Sequence, residues 1–367
     1  CRDLGIEANF YLLHRDGKPL ANIATFTHRG VGHFGHVWTV PEDRRQGAAS
    51  QLMGVQMAHF RQEGGWALFL GTGYDSPPYH IYASHGFAGL EPKSGYMEYY
   101  VQSKAQFEAE YFARGAVQVE EVQWRHWPAS AALFLGDFPG AVRCAPLKLL
   151  GRSSTEGPFL DLIQGEEQRR EKGELSRAQV LCQTASQAVV GLAAWDWDPL
   201  WPSTCVVEVY CHPSFWEEGW GLLGALPLPE AERYMAYSDT DCLEKGEVLR
   251  AAGFRPVGRH ARRVALDRVR TRLVDVNVWE RFRPVPQGFQ QSPDFFPGKP
   301  KSSDIAHPQS GNRVAHQRKI PLGDFSLFHD LLCPGDDFVK SAGAPQVLFQ
   351  VISHHLACHG HGSCSVL

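Results

Sequence analysis

The chain of 367 residues is about 2.4 times the ~150 residues typical of one domain, which predicts two domains plus extra and excludes a single small module. Hydrophobic residues at 43% and charged residues at 21% are ordinary globular values, so global disorder is excluded. The 36 basic and 40 acidic side chains give a net charge of -4, which argues against a general phosphate-backbone binder; no nucleic-acid partner is expected. No apolar run approaches the ~20 residues of a membrane span, so no membrane partner is expected either. The nine cysteines, an odd number scattered from Cys1 to Cys364, read as reduced thiols and predict a cytoplasmic protein. The chain begins at Cys1 rather than Met and runs at once into a strand pattern, which suggests that its natural N-terminus lies upstream.

Residues 9–27 read strand, turn, strand, with Asp16-Gly17 as the hairpin signal because both turn positions tolerate positive φ. A strand over 33–40 stops at Pro41. The spacing of Leu52, Met53, Val55, Met57 and Phe60 then predicts a helix up to Glu63, ended by Gly64-Gly65. A buried strand at 66–71, a short helix at 80–84 and a strand at 95–101 complete the first unit. The order repeats with a strand over 117–124, an alanine-rich helix after His126-Trp127-Pro128, and strands at 178–183, 188–195, 206–210 and 234–238. A helix over 243–252 closes at Gly253-Phe254, and a final strand lies around 263–266. The charged stretch 166–177 reads as a solvated helix or loop. Internal duplication is the simplest account: a first domain at 1–116, a second at 117–282, and a proline-rich linker and tail at 283–367 with the composition of a disordered segment.

Chemistry concentrates where the 33–40 strand turns into the helix, in Val40-Pro41-Glu42-Asp43-Arg44-Arg45-Gln46-Gly47-Ala48-Ala49. Small residues at 47–49 let the backbone N–H groups of a first helical turn approach an anion, the helix dipole adds positive character, and Arg44 and Arg45 add charge. Alone, this is a generic phosphate cradle or an ordinary helix start. Its companion is Tyr82-Ala83-Ser84-His85-Gly86-Phe87, one strand and one helix further on.

The pair resembles the cofactor and closing motifs of the GNAT superfamily of acyl-CoA-dependent N-acyltransferases, whose Arg/Gln-x-x-Gly-x-Gly/Ala appears as Arg44-x-x-Gly47-x-Ala49 and whose Tyr-x-x-x-Gly-Phe appears as Tyr82 to Phe87. The resemblance implies an α/β fold in two tandem copies, each a mixed central sheet flanked by helices, with acetyl-CoA as co-substrate, an amine-bearing small molecule or peptide as acceptor, and no metal. It implies that backbone N–H groups of Arg45, Gln46, Gly47, Ala48, Ala49 and Ser50 hold the pyrophosphate, and that the strand edge at Trp38, Thr39 and Val40 pairs with the pantetheine arm. Asp75 stands where family members often carry Asn. Tyr82 matches the general acid that protonates the departing thiolate, a task that suits a phenol holding its proton at neutral pH. The base is open among His33, His36 and Glu42, and a strand N–H near Val40 is the candidate oxyanion donor. The loop 73–82, rich in aromatic residues and proline, is expected to line the acceptor entrance.

The second unit repeats the spacing as Pro213-x5-Gly219-x-Gly221 and Gly253-Phe254, but Glu217 and Glu218 replace Arg45 and Gln46, and Leu249 replaces Tyr82. Carboxylates beside a pyrophosphate are unfavourable, so this unit reads as a degenerate copy that shapes the acceptor cleft or stabilises the first. The first unit lacks the opening strand and helices of a complete member. Two other classes remain open, a non-catalytic acyl-CoA-binding or regulatory module and a structural pseudoenzyme, with the need for Tyr82 as the discriminator. In the tail, His355, Cys358, His361 and Cys364 have a spacing too regular for a zinc knuckle, and the closing Cys-Ser-Val-Leu departs from a prenylation box.

Overall fold

The computed structural model describes residues 2–282, 338–340 and 347–358. These described residues belong to one compact unit built around two mixed sheets flanked by helices, the α/β architecture expected from the sequence.

The first half supplies β1 (Arg2–Arg15), β2 (Lys18–His28), β3 (Val31–Thr39), α1 (Ala48–Gln62), β4 (Ala67–Gly71), α2 (Pro77–Ser84), β5 (Ala88–Gly89), β6 (Tyr96–Tyr100) and α3 (Lys104–Tyr111). The β1–β2 turn is the expected one, with Asp16 and Gly17 at φ 51° and 74°. Helix α1 buries Leu52, Met53, Met57 and Phe60 as its periodicity predicts.

The second half supplies β7 (Val117–Glu121), α4 (His126–Leu135), β8 (Val142–Cys144), β9 (Leu149–Leu150), α5 (Glu156–Lys172), β10 (Ala178–Gln183), β11 (Val189–Trp197), β12 (Thr204–Cys211), α6 (Gly219–Ala225), β13 (Arg233–Asp239), α7 (Leu243–Ala251), β14 (Arg255–Ala265) and β15 (Leu273–Phe282). The charged stretch is the latter part of α5, whose apolar side, with Phe159, Leu162 and Ile163, is buried. Strand β15 is absent from the sequence reading, yet it lies between β13 and β14 and pairs with both. Its alternation of Val274, Val276 and Val278 with polar residues is the signal that identifies it.

Strand β16 (Phe338–Lys340) and strand β17 (Val347–Cys358) correct the expectation of a wholly irregular tail. Strand β17 pairs antiparallel with β1 over a long register from Arg15↔Val347 to Arg2↔Cys358. His354, His355 and Cys358 fall within it; the rest of the His/Cys run and most of the linker lie outside the described residues.

The strand orders are β16-β17-β1-β2-β3-β4-β6-β5 and β14-β15-β13-β12-β11-β10-β7. Reading the second backwards aligns β17, β1, β2, β3, β4, β6 and β5 with β7, β10, β11, β12, β13, β15 and β14, and every corresponding pair has the same direction. The place of β7 in the first sheet is therefore filled from the far end of the chain.

One core runs across the expected boundary at residue 116, uniting Ile6, Phe26 and Phe69 with Phe134, Val180 and Leu192. Helix α4 joins the halves: it packs on β2, β3 and β4 and also on β11, and all ten of its residues are buried. Its last-turn carbonyls are met by buried Arg143, which donates to the carbonyls of Leu133 (3.2 Å), Phe134 (2.8 Å), Gly136 (3.0 Å), Phe138 (2.8 Å) and Gly140 (3.2 Å). Pro128 is accommodated because it lies in the first turn, where its missing N–H leaves no helical bond unmade. The described cysteines Cys144, Cys182, Cys205, Cys211 and Cys242 are free and buried, and no helix among the described residues is long and apolar enough to cross a membrane.

Arg143→Met keeps much of the side-chain volume but removes these five hydrogen bonds from a buried interior, where Phe134 O keeps a second donor, Ser153 N at 3.2 Å. Urea unfolding should show a loss of ~3 kcal/mol or more.

Candidate functional site

Strands β3 and β4 pair in parallel only from Val31↔Ala67 to His33↔Phe69, and beyond His33 β3 has no β4 partner. A bulge accompanies the separation. Asn22 pairs with Trp38 and Ala24 with Gly35, so Ile23 faces two residues, His36 and Val37. His36 takes φ 53°, and Asn22 Nδ2 donates to its carbonyl at 2.5 Å. The result is a crevice that opens toward the end of β3, where Trp38 and Thr39 still pair with β2.

At the mouth of the crevice, a 3₁₀ turn at Pro41–Asp43 leads into the cradle. Arg44 Nε donates to Thr39 O (3.0 Å) and Gln46 Nε2 to Glu42 O (3.0 Å), which fixes the loop while leaving Arg45 exposed. Gly47, at φ 84°, is the N-cap of α1; no side chain caps this helix and no acidic residue occupies its first turn. The N–H groups at the start of α1, through Ala48, Ala49 and Ser50, therefore retain their attraction for an anion.

Tyr82 lines the crevice from α2. Its ring stands edge-on to Phe34 at 5.4 Å, and its carbonyl accepts from Phe87 N (3.1 Å) across the Gly86 turn. Burial pushes its phenol up to about 12, so it holds its proton throughout the physiological range. Its hydroxyl makes no hydrogen bond to a described residue, whereas Ser50 Oγ and His85 Nε2, 3.0 Å apart, tie α1 to the end of α2. Asp75 lies apart from this, exposed at φ 56° in a surface pair with His80 (2.9 Å).

The candidate bases separate. His33 is 2% exposed against Trp127, and burial pushes its imidazole down to about 4, so it is a weak base sealed from solvent, which argues against its candidacy. His36 is exposed on the bulge beside Phe26, whereas Glu42 is exposed on the cradle loop. The N–H of Val40 itself donates to Leu20 O at 2.9 Å, so an oxyanion donor near Val40 would be a neighbouring strand N–H.

The sequence reading missed Glu156, the first residue of α5. A Cβ added at Gly35 would stand 3.7 Å from Glu156 Oε1, so this carboxylate from the second half covers β3 just before the bulge. Trp127 Nε1 donates to the Glu156 carbonyl (2.9 Å) and holds it there. Burial raises its carboxyl above the ordinary range, with His36 drawing it back down. Phe34 faces Tyr82 and its neighbour Gly35 faces Glu156, so acid and carboxylate flank the crevice from opposite faces of the sheet.

The second sheet repeats this frame with its crevice closed. Strands β12 and β13 pair only from Thr204↔Arg233 to Val206↔Met235. The backbone of 140–142 fills the space beyond: Gly140 N donates to Asp241 Oδ2 (2.9 Å), and Ala141 N (2.9 Å) and Val142 N (2.7 Å) donate to Asp239 Oδ2. Lys245, 0% exposed, donates to Val142 O (2.8 Å) and pairs with buried Glu208. Glu217 and Glu218 are both engaged by Arg114, and Gly219 is right-handed at φ -59°, unlike Gly47. Leu249 O accepts from Phe254 N at 3.0 Å, as Tyr82 O does from Phe87 N at 3.1 Å.

One trio among the described residues, Glu120, His126 and Cys182, brings three metal-ligand atoms within 4.8 Å of one another. Arg125 already pairs with Glu120, and His126 Nδ1 accepts from Gln123 N (3.0 Å), which leaves the ring proton on Nε2, the atom facing Cys182 Sγ at 3.5 Å. These groups satisfy one another as they stand.

No protein-family model matches the sequence, and no curated protein does. Among solved structures, the chain is similar to an acetyltransferase of the GNAT family from Bacillus anthracis (10% identity, 46% of this chain and 95% of that chain, TM-score 0.33). It is also similar to a ribosomal-protein-alanine N-acetyltransferase from Brucella melitensis (15% identity, 45% and 99%, TM-score 0.33) and an N-acetyltransferase from Staphylococcus aureus Mu50 (13% identity, 46% and 99%, TM-score 0.32).

Gly47→Ala should cost ~1–2 kcal/mol, the strain of a left-handed L-residue, in a thermal or urea melt. Gly47→Glu adds a carboxylate to the cradle, and calorimetric titration with pyrophosphate should then show weaker anion binding than in the unaltered chain.

Proposed function

We propose that the chain is an acyl-CoA-dependent N-acyltransferase that moves an acetyl group from acetyl-CoA to an amine by direct attack. The observation that carries this reading is the contrast between the two copies: the first crevice is open, with an anion cradle at its mouth and a protonated phenol in its wall, whereas the second is filled by its own chain.

In this reading, the pyrophosphate lies at the start of α1 against residues 45–50, with Arg44 and Arg45 adding charge. The pantetheine arm runs into the crevice beside Trp38, Thr39 and Val40, so the thioester comes to rest between Tyr82 and the bulge. The amine nitrogen forms its bond to the thioester carbon, the C–S bond breaks, and Tyr82 gives its proton to the departing sulfur and recovers one from solvent. Holding both reactants in register supplies much of the acceleration, since effective molarities reach ~10⁵ M or more for well-oriented pairs. The buried phenol is a weak acid, so its transfer is favoured only as negative charge develops on sulfur. That timing restricts its help to the breakdown step.

Tyr82→Phe keeps the ring contact with Phe34 and removes only the hydroxyl. Turnover, measured as thiol release, should fall at least tenfold while calorimetric affinity for coenzyme A stays within twofold. Unchanged turnover with retained binding would instead identify an acyl-CoA-binding module in which Tyr82 has no chemical part.

A further inference from the structure

The first copy presents no side chain on β3 just before the bulge, because that residue is Gly35. The second copy does. Aligning the first parallel pairs, Val31↔Ala67 with Thr204↔Arg233, places Gly35 level with Glu208. The bulge at His36 and Val37 adds one residue after this point, which accounts for Pro41 lying ten residues beyond Val31 and Pro213 nine beyond Thr204. Glu208 is locked to Lys245 and to Tyr237 N (2.9 Å) inside a filled crevice. In the open crevice, the carboxylate at the corresponding place comes from Glu156, and it has no hydrogen bond or ion pair among the described residues.

Glu156 also lines a cavity of about 960 Å³ that reaches from Gly71 and Tyr96 of the first half to Trp195 of the second. Its charged side chains are Glu156, Asp161, Glu166 and Asp196 against Lys148 and Arg177, and Arg177 is already paired with Asp196. A cavity of that size with an acidic excess fits an amine carried on a larger, positively charged molecule.

Resting on the acyltransferase reading above, we propose that the second copy completes the first one's active site: Glu156 accepts the proton from the acceptor amine, and the cavity beside it binds a cationic amine substrate. As the N–C bond forms, the nitrogen proton passes to a Glu156 oxygen and then to solvent, while the proton on sulfur comes from Tyr82. The sum is amine plus thioester to amide plus thiol. Glu156 must be ionised to act, and its raised carboxyl places that ionisation nearer neutrality. The charged groups around it are His36 on β3, Lys148 before β9, and Asp161 on α5 itself.

The test uses the full chain with acetyl-CoA, following thiol release with spermidine, a trilysine peptide and a triglutamate peptide from pH 5.5 to 9. Wild type should acetylate the two cationic amines and not the acidic one. Glu156→Gln should retain its melting temperature and coenzyme A affinity, lose roughly 10²–10⁴ in kcat/KM, and lack the acidic limb of the wild-type pH profile. Glu156→Asp should recover part of the rate and restore that limb. Wild-type transfer with an unchanged Glu156→Gln profile, or preference for the acidic peptide, would overturn this inference alone. Failure of wild type to bind acetyl-CoA or acetylate any of the three would overturn the acyltransferase reading with it.

Discussion

Helix α4 has no solvent-facing side. One flank lies on β2, β3 and β4, another on β11, and between them every residue from His126 to Leu135 is buried. A helix so placed cannot be left by either sheet without exposing a continuous apolar surface. Each large side chain it contributes, such as Trp127 or Phe134, is worth ~1.5–3 kcal/mol in burial. Small residues at 129, 131 and 132 permit the close approach, and Arg143 makes it possible for the helix end to stay dry. Two copies of one plan consequently share a single core, and α5, which follows α4, is brought against the first sheet with Glu156 at its leading end.

The two sheets, alike in strand order and direction, carry opposite electrostatic outcomes. Both sheets splay between corresponding strands, which creates a gap whether or not anything is to bind there. In the second, the gap is occupied by backbone, and its donors are satisfied by Asp239 and Asp241 while Glu208 and Lys245 neutralise one another. Such a buried pair contributes little net stability beyond that of an apolar filling, but removal of one member would strand the other. In the first, β3 has no β4 partner beyond His33, and the Tyr82 hydroxyl and the Glu156 carboxylate have no hydrogen-bond partner among the described residues.

Much of this was legible in the chain because it rests on local spacing. The Asp16-Gly17 hairpin, the strand ending at Pro41, the apolar face of α1, and the Pro-x5-Gly and Gly-Phe motifs are each encoded within about a dozen consecutive residues. Glu156 was not legible, since it lies 121 positions from Gly35 and belongs to the other copy. Only the comparison of Gly35 with Glu208, one residue out of step because of the bulge, carries a hint of it. His33 and His36 illustrate the limit of residue type: three positions apart on one strand, one is sealed against Trp127 and the other is exposed, a difference set by a helix from the second half and by a bulge. The filling of the second gap by residues 140–142 has no sequence mark at all, because it is made largely of main chain.

The pairing of β17 with β1 has a consequence for how the molecule is made. Leucine 348 meets His14 across the sheet, so more than 330 residues separate partners that must find each other. Most of the chain leaves the ribosome before that edge can be covered, and until then β1 presents unpaired amides and carbonyls to any other extended chain nearby. Contacts of such long separation form slowly, because loop closure is spent before the contact returns anything. Closure of the first sheet thereby waits on residues 347–358, which are made long after β1.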